Sequence, residues 1–242
     1  MKLTILGAGA MTSSMACSSY LIESKNNALL IDLGFGSITN LKKVLSPLKI
    51  HNILITHYLH ADHIIDLIEL LWVKKILKEK NQLNVFGPKG INSFINKMLE
   101  LFPELNLEFK LKIKELEYNK FNLFDFCIES KPVKHANIAA LGYRIKLGKK
   151  VIVYSGDTEA TETLIDLSKN ADILILDCNN NEKKSNHMTA EECALIAEKA
   201  KAKTLILSHL SHKTENLNIV SIAKKYFNGK IIKAKDLMQL KI

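Results

Sequence analysis

The chain opens with short apolar runs set between turn residues. Leu3 to Leu6, Ser19 to Glu23 and Ala28 to Asp32 are separated by Gly7, Gly9 and the cluster Lys25-Asn26-Asn27. Runs of this length, bounded in this way, predict strands of an antiparallel sheet. Ile38 to Leu45 fits a short helix and Ile50 to Ile55 a buried strand. From Ile64 to Lys78 apolar residues recur at helical spacing, after which Leu83 to Phe86 reads as a strand ended by Gly87-Pro88. Ser93 to Leu101 is again helical, Phe109 to Ile145 holds several strands, and Val151 to Tyr154 is a strand that stops at Ser155-Gly156-Asp157. Ile173 to Leu176 is a further strand. Thr189 to Lys201 predicts a helix with Thr189 as its cap, and Glu192 stands at the spacing of a reciprocal capping pair. Strand Thr204 to Ser208 and a closing helix and strand finish the chain.

Strands interleaved with helices in both halves imply an α/β (α+β) protein. No stretch rich in Pro, Gly or Ser divides the chain and no short repeat is visible, so residues 1–242 are expected to form one domain of two sheets flanked by helices. Periodicity alone does not choose this over other α/β arrangements. Apolar residues at 47% and charged residues at 24% argue for a packed globular protein rather than a disordered one.

Charge and cysteines adjust the picture slightly. The formal net charge of +9 favours encounter with polyanions, although no compact basic run marks a nucleic-acid-binding helix and Lys-rich usage alone accounts for the excess equally well. Cys17, Cys127, Cys178 and Cys193 lack CxxC spacing, which points to free thiols in a reducing compartment rather than a zinc knuckle or redox pair. No apolar stretch approaches the roughly 20 residues that span a bilayer. The segment ending Ser14-Met15-Ala16-Cys17 faintly mimics a lipoprotein signal, but Gly7, Gly9, Thr12 and two serines break its apolar part. A cytoplasmic location, away from the membrane, is expected.

Chemistry concentrates in Thr56-His57-Tyr58-Leu59-His60-Ala61-Asp62-His63, between a predicted strand and a predicted helix. Three imidazoles and a carboxylate on one turn are borderline ligands suited to Zn²⁺. His135, Asp157 and His209 each stand just past the end of another predicted strand. Any one of them alone is more often a satisfied structural residue. Together with the cluster they supply enough nitrogen and oxygen ligands for two metals, with Asp157 suited to bridge, and two-metal sites cleave phosphoryl bonds.

The cluster resembles the HxHxDH signature of the metallo-β-lactamase superfamily, and the rest of the chain resembles ribonuclease Z and its phosphodiesterase relatives. Matching segments include Leu29-Leu30-Ile31-Asp32-Leu33-Gly34, Val85-Phe86-Gly87-Pro88-Lys89-Gly90-Ile91, Gly142-Tyr143-Arg144-Ile145 and Ser155-Gly156-Asp157-Thr158. His187-Met188-Thr189-Ala190-Glu191-Glu192 and Leu207-Ser208-His209-Leu210-Ser211 extend the likeness to the C-terminal part. The resemblance implies a four-layer αββα sandwich with its site at one edge of the sheets. It implies that His57, His60 and His135 hold one zinc, that Asp62, His63 and His209 hold the other, and that Asp157 bridges them. Two Zn²⁺ per chain are expected, with Mn²⁺ or Fe²⁺ as substitutes. By the same resemblance Asp62 also orients the attacking water, His187 assists the leaving group, Asp32 supports the metal-binding loop from beneath, and the chain pairs as a homodimer.

Three departures stand out. The family places one residue between its first two histidines, whereas Tyr58 and Leu59 both intervene here. Either the backbone bulges so that His57 still reaches the metal, or Tyr58 takes its register and the first zinc loses a ligand; imidazole, the better zinc ligand, favours the bulge. Ribonuclease Z carries a long tRNA-gripping arm where only Lys146 to Tyr154 lies here, so maturation of tRNA 3′ ends is not expected to be efficient. Its His-Glu-Ala-Thr motif is replaced by Leu176-Asp177-Cys178-Asn179, leaving Asp177 as the shorter substitute for the missing glutamate.

Three functional classes remain open on the sequence. The leading one is a metal-dependent phosphodiesterase acting on RNA ends, oligonucleotides or cyclic nucleotides. The second is a hydrolase of carboxylic esters, lactones or thioesters. The third is a non-catalytic nucleic-acid-binding protein with a degraded metal site.

Overall fold

The structure is a computed structural model that describes residues 1–242. Its first half runs β1 (Lys2–Gly7), β2 (Ser19–Glu23), β3 (Ala28–Ile31), α1 (Ser37–Val44), β4 (Asn52–Leu54), α2 (Asp66–Ile76), β5 (Leu83–Pro88), α3 (Ile91–Glu100) and β6 (Leu111–Leu116). The second half runs β7 (Asn119–Leu123), β8 (Phe126–Pro132), β9 (Leu141–Leu147), β10 (Lys150–Tyr154), α4 (Glu162–Ser168), β11 (Ile173–Asp177), α5 (Ala190–Lys199), β12 (Thr204–Ser208), α6 (Ile219–Ala223), β13 (Lys230–Lys233) and β14 (Gln239–Lys241).

Two seven-stranded mixed sheets result, ordered β14-β1-β2-β3-β4-β5-β6 and β13-β12-β11-β10-β9-β8-β7. Alternation along the strands builds the layers, because successive side chains point to opposite faces. Leu3, Ile5, Tyr20, Ile22, Leu29 and Ile31 of the first sheet meet Ile128, Tyr143, Ile145, Ile152, Tyr154 and Ile175 of the second in a core between the sheets. Leu21, Leu30, Ile53 and Val85 face the other way, onto Leu41, Leu67, Leu70, Leu71 and Ile95 of the helices. On the far side, Val153, Leu174, Leu176, Leu205 and Leu207 pack against Leu164, Leu167, Ala194 and Ala197. Each fully buried aliphatic side chain contributes about 1.5–3 kcal/mol. The outcome is the four-layer αββα metallo-β-lactamase sandwich.

In both sheets, pairing changes sense at one strand. β3 is antiparallel to β2 and parallel to β4, while β10 is antiparallel to β9 and parallel to β11. Ligand sites in open α/β sheets form beyond the carboxyl ends of strands at such switch points. The residues there are Asp32 after β3 and Asp157 shortly after β10. Gly34 lets the histidine loop close over the end of β3, since any side chain there would collide with the Asp62 carbonyl; Leu33 N–H donates to His63 O at 2.8 Å.

The structure differs from the predicted elements in places. β5 continues through Gly87-Pro88, which pair in register with Glu115 and Leu116, and the turn falls at Lys89-Gly90. Pro88 is the last residue of its strand. Helix α4 has no counterpart among the predicted elements: at seven residues it is too short to show a 3.6-residue period, and Thr161 caps it by accepting from Leu164 N–H at 3.2 Å. The predicted capping pair is present, Thr189 accepting from Glu192 N–H and Glu192 from Thr189 N–H. Strands β9 and β10 are joined by a tight turn at Gly148-Lys149, so no arm projects between them. No helix is long and apolar enough to cross a membrane.

Candidate metal centre

Every functional candidate except Asp62, His63 and His187 stands on a loop just past a strand end. His57 and His60 follow β4, His135 follows β8, Asp157 follows β10 and His209 follows β12, while His187 lies at the far end of the loop from β11, just before α5. Asp62 and His63 sit in a single 3-10 turn, Ala61–His63, leading into α2. His209 holds a left-handed backbone at φ 53, and so does Asp32 at φ 54. Such conformations cost energy in residues other than glycine and cluster where function overrides stability.

These loops bring the side chains together. Donor atoms of His57, His60, His135 and Asp157 all lie within 4.8 Å of one another, and those of Asp62, His63 and His209 form a second group on the same criterion. A third grouping joins Asp157 and His209 with Asp177 and His187. Asp157 faces both of the first two groups. Its carboxylate is 3.1 Å from His63 Nε2, 3.2 Å from His209 Nε2, 3.7 Å from His135 Nε2 and 3.8 Å from His57 Nε2.

The local fold decides between His57 and Tyr58. His57 is fully buried, with Nε2 at 3.2 Å from His60 Nδ1. Tyr58 turns away, its hydroxyl donating to Lys89 O at 3.2 Å and its ring lying 5.0 Å from Phe94. The extra residue is absorbed in the turn, and His60 presents Nδ1 toward His57 and His135, at 3.2 and 3.1 Å.

Supporting bonds set the tautomers. His63 Nδ1 donates to Asp32 Oδ2 at 2.8 Å, while Asp32 also accepts from Thr56 N–H and the Thr56 hydroxyl, both at 2.7 Å. His135 Nδ1 donates to Asn186 O at 2.9 Å, and His209 Nδ1 is bonded to Ser18 Oγ at 2.9 Å. His57 Nδ1 reaches the Thr56 hydroxyl at 3.2 Å. Asp62 Oδ2 accepts from Met11 N–H at 3.2 Å. Asp177 accepts from His187 Nδ1 at 2.8 Å.

These residues fit a divalent metal. With Nδ1–H engaged by Asp32, His63 Nε2 faces Asp157 Oδ1 at 3.1 Å, and both atoms are buried without a further hydrogen-bond partner. Such a pair needs a proton or a metal cation between its atoms. His57 Nε2, His60 Nδ1 and His135 Nε2 converge in the same way. The electrostatics favour positive charge at that point. Burial lowers the His63 pKa, but the charges of Asp157 and Asp32 outweigh it and raise the group well above its ordinary value. Burial raises Asp157, and the His209 and His63 charges overcome this to hold it well below the carboxylate range. His57 is lowered by burial and then by His63, and His60 by burial and then by His135. For His187, burial lowers the pKa, yet Asp177 lifts it to about 9. Above the donors opens a cavity of about 430 Å³ lined by His60, Asp62, Asp157, His187 and His209 together with Met11, Thr12, Leu59 and Asn179.

Sequence reasoning missed the supports. Thr56, adjacent to His57, was legible in type but not in role. Ser18 lies far away in sequence, and the Met11 amide and Asn186 carbonyl are main-chain groups that leave no side-chain signature.

Comparison with known proteins agrees with the architecture. "Probable metallo-hydrolase YhfI" of Bacillus subtilis (strain 168) is 29% identical over 98% of each chain. The crystal structure of the metallo-beta-lactamase fold protein YhfI from Bacillus subtilis matches with a TM-score of 0.86 at 27% identity, covering 99% of this chain and 98% of that one. Human tRNase Z, short form, matches with a TM-score of 0.82 at 25% identity, covering 100% and 99%. Ribonuclease Z of Bacillus velezensis is 27% identical over 87% of this chain and 88% of its own. The class is thereby defined: a metallo-hydrolase of the metallo-β-lactamase superfamily that resembles ribonuclease Z. Within that class the profile of the family described as "Anti-Pycsar protein Apyc1" matches residues 1–228, and the chain belongs to that family.

Proposed function

We propose that the protein is a two-zinc phosphodiesterase acting on RNA ends, oligonucleotides or cyclic nucleotides. The observation that carries this reading is the sharing of Asp157 between the group of His57, His60 and His135 and the group of Asp62, His63 and His209. In this reading the seven residues would hold the metals, with Asp157 common to both groups. When bound, such a pair supplies Lewis acidity toward a phosphoryl group and toward water. Asp62, steadied by the Met11 amide at the cavity floor, takes the proton of the attacking water. His187, kept protonated and oriented by Asp177, gives a proton to the departing oxygen. The tight turn between β9 and β10 favours small phosphodiesters and chain ends over a folded tRNA.

Hydrolysis of bis(p-nitrophenyl) phosphate tests the reading. Activity is expected only with a divalent metal present and is abolished in Asp62→Ala. A fully metallated protein that leaves every phosphodiester intact while turning over carboxylic esters, lactones or thioesters overturns it.

A further inference from the structure

The extra residue between His57 and His60 has a visible consequence at the surface. Tyr58 is pinned inward by its bond to Lys89 O and by Phe94, and Gly90, at φ 94, leaves the room its hydroxyl needs. His60 resumes the line of metal-facing nitrogens. Between these two fixed points Leu59 has nowhere to go but outward, and it is 56% exposed. It does not stand on a featureless face, because it lines the cavity above Asp62, His187 and His209. Met11 lines the same cavity and is 51% exposed. Its backbone is fastened there, since the Met11 N–H is bonded to Asp62.

We propose that Leu59 and Met11 form an apolar lip that stacks against the base of a nucleoside phosphodiester, a role that rests on the phosphodiesterase reading. Other apolar side chains of this protein are equally exposed, but these two line the cavity above the charged donors, and specific sites combine apolar walls with a few placed polar groups. The cavity, about 430 Å³, falls in the range of small-molecule sites. Its lining mixes Leu59 and Met11 with Thr12 and Asn179, which suits a planar group with polar edges better than an alkyl chain. Leu59 and Met11 are thus specificity determinants, and Leu59 owes its position to the inserted residue.

Calorimetric binding to the zinc-loaded protein tests this without turnover. A nucleoside 5′-monophosphate is expected to bind about 10-fold more tightly than ribose 5-phosphate. That ratio should fall toward one in Leu59→Ala and to an intermediate value in Met11→Ala; both sites are exposed, so the fold tolerates the changes. Equal affinity of the two ligands in the unaltered protein overturns the proposal. So does a ratio that survives both substitutions, or an alkyl phosphate that binds more tightly than the nucleotide. Parallel turnover of bis(p-nitrophenyl) phosphate separates the two readings: absent turnover with an intact base preference removes the phosphodiesterase assignment and leaves the lip standing.

Discussion

The two donor groups share Asp157 but are held very differently. His63 is locked by the Asp32 carboxylate, His209 by Ser18 and Asp62 by the Met11 amide. In the other group the Asn186 carbonyl holds His135, but the only support of His57 Nδ1 is a 3.2 Å bond to a hydroxyl already committed to Asp32, and half-exposed His60 turns Nδ1 inward. A carboxylate behind an imidazole fixes its tautomer and raises its basicity, and losing such a partner typically weakens metal binding 10–100-fold. Convergence of ligands is therefore not equivalence of sites. The group built on the 3-10 turn is set in advance, and the group that absorbs the inserted residue is more adaptable.

The shared residue gives the largest test of that comparison. Asp157→Ala is expected to remove both metal equivalents and lower phosphodiester hydrolysis by about 10³-fold; retention of one full equivalent by elemental analysis would show the groups to be independent. Asp177→Asn leaves both groups complete and weakens the support of His187, although Asp177 also accepts from the Thr158 and Asn179 amides, so kcat should fall by about 10²-fold with metal content unchanged. Asp32→Asn should weaken metal retention about 10–100-fold, chiefly at the group containing His63. Competition with a chelator reads this directly. In the unaltered protein the same titration should be biphasic, with the His57 group releasing first, and a single phase breaks the comparison.

The smallest effect concerns α2, which leads away from the 3-10 turn. Lys74 on this helix is fully buried, with Leu48 O at 3.4 Å and Glu79 at 3.9 Å. Burial lowers its pKa to about 8, and Glu79 recovers only part of that. The unfolded chain then holds more protons than the folded one between about pH 8 and the ordinary lysine value of 10.5, so stability rises with pH across that window. The gain should be on the order of 1–2 kcal/mol. Denaturant melts of Lys74→Met should lack this rise, and an identical slope in both proteins would dismiss it.

Much of the fold was legible because its signals are local. The short apolar runs Leu3 to Leu6 and Ala28 to Asp32 mark strands with two buried faces, and Thr189 with Glu192 marks a helix start within four residues. Helix α4 was not legible, since seven residues carry too little periodicity, and Gly87-Pro88 misled because strand pairing with β6 overrode the turn preference of the two residues. At the site, His57, His60, Asp62 and His63 announced themselves by spacing, whereas His135, Asp157 and His209 stood out only as polar residues past strand ends and through the family resemblance.

By itself the sequence determined which residues alternate, where strands stop and which stretch gathers imidazole and carboxylate on one turn, because side-chain period and turn chemistry act over a few neighbouring residues. Only the tertiary structure decided that His57 faces the centre while Tyr58 packs on Phe94, and that Asp177 reaches His187. It also decided that Asp157 stands between two sets of donors. Those outcomes depend on the register of β3, β4, β10, β11 and β12 across two sheets, a relation between distant segments that no local pattern encodes.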